Sequence, residues 1–268
     1  MGGKNKGKGR WLVKRMGILL LAVCLLLGGC GKKPPAETTA PAAPARTTGP
    51  TLSRETVPKN RMGSYRETVE NFAYEHRFPD GSAVPADSAF GSMDGNFFAV
   101  ADVDGDGEKE LVISFTAGPM ASMALYVCGF EEDTGKVTVL LTEFPSVSFY
   151  PGGFLEAQLS HNHGLAGDSF WPYTLYAREG GSYESIAFVD AWDVSLARVD
   201  GTGKPFPADI DADGDGIVYL VTRDGETKTL DGKDYASWRS SILGQGEPIP
   251  VSYYAVTRDN IRQVFNDS

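Results

Sequence analysis

Phe97-Phe98-Ala99-Val100-Ala101-Asp102-Val103-Asp104-Gly105-Asp106-Gly107-Glu108-Lys109-Glu110-Leu111-Val112-Ile113-Ser114-Phe115 is the stretch that decides the fold. Two apolar runs rich in β-branched and aromatic residues, 97–101 and 111–115, flank a short acidic loop. Runs of this length and composition, bounded by turn residues, read as strands. A loop this short joins antiparallel neighbours, because parallel strands need a crossover of a dozen or more residues.

The same pattern extends outward. Runs 125–130 and 137–141 are joined through Asp133-Thr134-Gly135-Lys136. Pro151-Gly152-Gly153 joins 147–150 to 154–159, and Glu179-Gly180-Gly181-Ser182 joins 171–177 to 183–189. Run 217–221 leads into Asp224-Gly225. In Phe170-Trp171-Pro172-Tyr173-Thr174-Leu175-Tyr176 apolar groups fall on both faces, which predicts a strand buried on two sides.

Helices are expected at the margins. Ser64-Tyr65-Arg66-Glu67 has the form of a capping box, and Tyr65, Val69, Phe72, Ala73 and His76 follow at helical spacing. His76 is thereby assigned to the core, and Pro79-Asp80-Gly81 to the stop. Asp231 is placed to cap a helix carrying Tyr235, Trp238 and Ile242 up to Gly244. Thr257 is placed to cap another carrying Ile261, Val264 and Phe265. The expected class is α+β: an antiparallel β meander, propeller-blade-like or sandwich-like, with three peripheral helices.

The first thirty residues carry an address. Lys4, Lys6, Lys8, Arg10, Lys14 and Arg15 precede an apolar run from Met16 to Leu27, closed by Leu27-Gly28-Gly29-Cys30. A basic leader, a short apolar run and small residues before a cut describe an export signal. The apolar run is shorter than the ~20 residues a spanning helix needs. Leu-Gly-Gly-Cys resembles a bacterial lipobox, and that resemblance implies cleavage before Cys30 and its lipidation. The mature protein would then be membrane-anchored through the Cys30 lipid and extracytoplasmic. Residues 31–60, rich in Pro, Ala and Thr, read as a disordered linker. Residues 61–268 remain as one mostly-β domain.

Loss of the leader's six cations leaves 19 Lys and Arg (25 less 6) against 35 Asp and Glu, a net charge near −16. Such a surface argues against nucleic acid and favours cations. The remaining cysteine, Cys128, has no intramolecular partner and sits in an apolar run, where it reads as a small core residue.

Asp102, Asp104 and Asp106 stand at positions 1, 3 and 5 of a tight loop, with Gly107 at the turn. That spacing converges carboxylates on one point, as a hard cation such as calcium requires. Glu108 would offer its backbone carbonyl, and Glu110 would act directly or through water. The loop resembles the calcium loops of FG-GAP/VCBS-type β-repeats, and more loosely dockerin and EF-hand loops. Ile113 replaces the bidentate Glu that ends an EF-hand loop. Asp211-Ala212-Asp213-Gly214-Asp215-Gly216 repeats the pattern before a second strand, with Tyr219 where Glu110 stood. Asp209 is a candidate to replace the missing carboxylate in this weaker second site. One or two calcium ions are therefore expected.

His161-Asn162-His163 supplies two imidazoles, with Asp168 as a candidate third metal ligand. The bland reading is a polar loop bonded locally. No His-Glu-x-x-His, Gly-x-Ser-x-Gly or catalytic triad can be picked by spacing. The acidic loops, His-Asn-His-Gly-Leu-Ala-Gly and Phe-Trp-Pro-Tyr-Thr-Leu-Tyr together resemble a group of uncharacterised predicted lipoproteins of anaerobic bacteria. The expected role is a binding or structural module at the cell surface, engaging a glycan, a cell-wall polymer or a surface protein. The alternative is an extracytoplasmic hydrolase with metal at His161 and His163.

Overall fold

The computed structural model describes residues 60–85 and 91–266. The leader, Cys30 and residues 31–59 of the linker lie outside the described residues. Among the described residues there are eleven strands, in two antiparallel sheets, and three α-helices. The fold is α+β, dominated by antiparallel sheet.

The first sheet holds β1 (Phe97–Ala101), β2 (Glu110–Phe115), β3 (Ala124–Glu131) and β4 (Lys136–Glu143). The second holds β5 (Val147–Tyr150), β6 (Phe154–Gln158), β7 (Tyr173–Glu179), β8 (Ser182–Asp193), β9 (Ile217–Arg223) and β10 (Glu226–Leu230). A last short strand, β11 (Tyr254–Ala255), returns to pair with β1 and completes the first sheet. Consecutive strands are neighbours throughout β1–β4 and β5–β10, so each sheet is a meander.

Both sheets are buried on both faces, and the period of two sorts their residues into layers. On the first sheet Ala99, Val112, Leu125 and Val127 face inward and meet Phe149, Leu155, Ala157 and Tyr183 of the second. On its outer face Phe98, Leu111, Ile113 and Cys128 pack beneath α1 (Arg61–Tyr74) and α3 (Arg258–Asn266). On the outer face of the second sheet Tyr173, Leu175, Val189 and Val221 pack beneath α2 (Gly232–Leu243). The result is four layers, helix–sheet–sheet–helix, with the helices peripheral. Cys128 lies in the core, where burial pushes its thiol up to about 12.

The helix caps at the C-terminal end match their sequence signals. Asp231 accepts from Lys233 N at 2.9 Å, and Thr257 Oγ1 accepts from Asn260 N at 3.3 Å. The first helix differs. It begins a turn earlier, because the Asn60 side chain accepts from Gly63 N at 2.7 Å and takes the cap. Ser64 is instead buried inside the helix, donating to the Gly135 carbonyl at 3.1 Å. His76 is exposed and lies beyond the helix end at φ 52°, so it is not a core residue. Trp171 is likewise outside its strand and 39% exposed; the two-sided burial begins at Tyr173. Strands β10 and β11 carry too few apolar residues to announce themselves in sequence. The turn Asp224-Gly225 that makes β10 has both residues at positive φ, the preferred form for a two-residue hairpin.

Candidate metal centre

Among the described residues, two groups bring at least three potential ligands within 4.8 Å of one another: Asp102, Asp104 and Asp106, and Asp211, Asp213 and Asp215. The loops are copies of each other at the level of the backbone. In the first, Gly105 N and Gly107 N donate to the two Asp102 oxygens at 2.7 and 2.9 Å. Asp106 N donates to Asp104 at 3.2 Å, and Glu108 N to Asp106 at 2.7 Å. In the second, Gly214 N and Gly216 N donate to Asp211 at 3.0 and 3.1 Å. Asp215 N donates to Asp213 at 3.2 Å, and Ile217 N to Asp215 at 2.7 Å. The two glycines of each loop hold positive φ, 77° and 92° against 74° and 83°, which a β-carbon would oppose.

The surroundings of the two loops differ. Asp104 is 4% exposed, and its backbone carbonyl accepts from Gly152 N and Gly153 N in the β5–β6 turn at 2.8 and 3.2 Å. Its Oδ2 accepts from Arg178 Nη1 at 2.7 Å. Arg178 stands at the end of β7, so the first loop is clamped to the opposite sheet. Glu110, 2% exposed, accepts from the same Arg178 nitrogen at 3.3 Å and from Val103 N at 3.2 Å. On the other side α1 grips the loop: Tyr65 donates to the Lys109 carbonyl at 2.8 Å, and Arg61 pairs with Glu108 at 2.7 Å.

Burial raises the Glu110 carboxyl to about 7, with Asp104 reinforcing the shift and Val103 N–H and Arg178 opposing it. Burial also raises Asp104, more than Arg178 lowers it. Next to this cluster lies Tyr183, 6% exposed, whose ring sits under the Arg178 guanidinium at 6.0 Å. Its buried hydroxyl has no hydrogen-bond partner among the described residues.

The second loop has none of this. Asp213 and Asp215 are exposed, and no ion pair reaches the triplet among the described residues. Where the first loop has Glu110, the second has Tyr219, whose ring stacks on Tyr235 with centroids 4.0 Å apart. Asp209 is exposed and stays outside the triplet, so the converging register starts at Asp211.

An all-oxygen donor set at this separation suits a hard divalent cation. Asp102, Asp104 and Asp106 would hold it in the first loop, and Asp211, Asp213 and Asp215 in the second. Glu110 adjoins the first triplet without entering it, because its two oxygens are drawn to Arg178 and Val103 N. A cation held there would neutralise the carboxylates and cross-link the loop.

His161 and His163 are exposed loop residues whose rings lie 5.9 Å apart. His161 Nδ1 lies 3.0 Å from Ser160 Oγ, and Asp168 does not gather with the pair within 4.8 Å. The residue that orders this loop is Asn162. It donates to the carbonyls of Gly167 and, at 2.9 Å, Phe170, and accepts from Gly164 N at 2.9 Å.

Sequence reasoning missed Arg178 and Tyr183. They lie 74 and 79 positions beyond Asp104 and have no motif; only the packing of the two sheets brings them to the loop. Comparison with known protein families, with curated proteins and with solved structures finds no match.

Proposed function

We propose that this chain is a lipid-anchored extracytoplasmic protein whose 61–268 domain is a calcium-stabilised binding module. The address rests on the basic leader, the short apolar run and Leu27-Gly28-Gly29-Cys30. The metal reading is carried by one observation: Asp102, Asp104 and Asp106 converge within 4.8 Å on a loop clamped between the two sheets. Three like charges held this close repel one another, at roughly 1 kcal/mol per pair in water and more where shielded. Arg178 offsets part of that repulsion for Asp104 and Glu110. A calcium ion on the triplet offsets the rest and favours the folded state.

Two measurements test this reading. Metabolic labelling with a fatty-acid analogue should tag the wild-type chain and leave Cys30→Ser unlabelled; undiminished labelling of the variant refutes the anchor. Calorimetric titration of the full chain with calcium should give one or two saturable sites. Absence of heat up to several millimolar calcium refutes the metal, since weak extracellular sites bind at about 10⁻⁴–10⁻³ M.

A further inference from the structure

Where the two sheets part, at the end of β1 away from the first acidic loop, they leave an open cleft of about 450 Å³. This is within the usual range for small-molecule sites. Its floor is a cross-strand row on the inner face of the first sheet. Phe97 pairs with Ser114, and Ser114 with Leu125. Its walls include Val147 of β5, Gln158 of β6 and Tyr253 of the strap that leads into β11.

Three features mark this cleft as built for a ligand. The first is Ser114. It interrupts the inner face of β2 between apolar neighbours, at a position where a valine would complete the layer between the sheets. It is 7% exposed, its hydroxyl has no hydrogen-bond partner among the described residues, and it lines the cleft. Because the Ser114 hydroxyl opens onto the cleft, it is available to pair with a ligand hydroxyl. The second is the pair of rings. Phe97 and Tyr253, each 39% exposed, both line this one cleft. The third is charge. The protein has a net charge of −10, yet no charged side chain lines the cleft among the described residues.

We propose that this cleft binds an uncharged oligosaccharide. Aromatic faces stack on the C–H faces of sugar rings, while hydroxyls and amides pair with sugar hydroxyls. The Ser114 hydroxyl, the Tyr253 hydroxyl and the Gln158 amide nitrogen make no hydrogen bond among the described residues and are free for this role. Gln158 is held in place through its Oε1, which accepts from Ser146 Oγ at 2.7 Å. An anionic polymer would find no cation in the cleft, and a cationic one no carboxylate. A lipid chain would leave the polar groups of the cleft unpaired. The proposal rests on the binding-module half of the reading above and names its ligand class.

The test is calorimetric titration of the full chain with tetramers of N-acetylglucosamine and of glucose. An acidic galacturonate oligomer and a cationic glucosamine oligomer serve as contrasts. Saturable binding of a neutral tetramer is expected. Ser114→Val and Tyr253→Ala should each weaken it about tenfold, the loss expected when a buried polar or stacking contact worth ~1.4 kcal/mol is removed. Tyr253→Phe should weaken it less, and Tyr74→Ala, at an exposed ring on α1, should change nothing. Lack of saturable binding to both neutral tetramers overturns the proposal. So does binding indifferent to both Ser114→Val and Tyr253→Ala, or preference for a charged oligomer. If Ser114→Val does not fold, Tyr253→Ala decides alone. Melting the same samples with calcium and with chelator reads the metal separately. A failed sugar titration beside an intact calcium shift refutes the cleft and leaves the calcium site standing.

Discussion

The two acidic loops share a sequence pattern and, bond for bond, a backbone; what they touch is different. Asp104 of the first loop is buried, paired with Arg178 across the gap between sheets and anchored through its carbonyl to Gly152 and Gly153. Asp213 of the second is exposed and has no such partner. The local pattern Asp-x-Asp-Gly-Asp-Gly therefore specifies the shape of a cation loop but not its consequence for the fold. That consequence depends on whether the loop is a joint between layers or a turn at the edge.

The largest effect should come from removing Asp104. Asp104→Ala takes from Arg178 the shorter of its two carboxylate contacts and leaves it Glu110 alone. Breaking a buried ion pair from one side typically costs about 3–5 kcal/mol. The variant should therefore denature at markedly lower urea concentration even with chelator, and should lose most of any calcium-induced shift. Asp213→Ala should stay within about 0.5 kcal/mol of wild type in chelator, as an exposed substitution does, and lose less of the calcium shift. Equal losses at the two positions would erase the distinction between joint and turn.

Arg178 sharpens the same contrast. In chelator Arg178→Met should be destabilised by a few kcal/mol, because two buried carboxylates lose their counter-charge. In calcium the variant should regain more stability than the wild type does, since Asp104 Oδ2 is then free for the ion. A calcium shift no larger than that of wild type would mean that guanidinium and cation do not compete.

A pH profile gives the next effect. Glu110 sits at about 7 in the fold, above the ordinary carboxylate value near 4.5. The folded state therefore holds a proton that the unfolded chain has released over that interval. Its contribution to stability is complete below pH ~4.5 and is lost as pH rises through 7. Asp104 is shifted the same way and adds to the trend. In chelator, urea midpoints should fall between pH 5 and 7.5, and Glu110→Gln should flatten the fall. Saturating calcium should flatten it too, because the cation favours the ionised carboxylates.

Much of the fold was legible in the sequence, and the reason is local. Alternating apolar runs and Gly-containing turns fix β1–β9, because each hairpin is specified by its own residues. Asp231, Gly244 and Thr257 mark the ends of α2 and the start of α3 by side chains that cap within three positions. The start of α1 is ambiguous in the sequence because two residues, Asn60 and Ser64, can each cap; burial of Ser64 against Gly135 decides between them only once β3 and β4 are in place. Strand β10, Glu226-Thr227-Lys228-Thr229-Leu230, has one large apolar residue and pairs because β9 and the Asp224-Gly225 turn deliver it. The candidate site divides in the same way. The carboxylate triplets are local and were visible. The clamp of Arg178 on Asp104 and Glu110 is a product of tertiary packing.

The central claim is that a cation on the first loop stabilises the joint between the sheets. The most direct measurement is the melting temperature of the full chain in saturating calcium and in chelator, beside Asp104→Asn, which keeps the shape and removes the charge. The account predicts a wild-type melt several degrees higher in calcium, and most of that difference lost in Asp104→Asn. Wild-type curves that coincide with and without calcium would contradict it, and would leave Asp102, Asp104 and Asp106 as an acidic turn held by its own backbone.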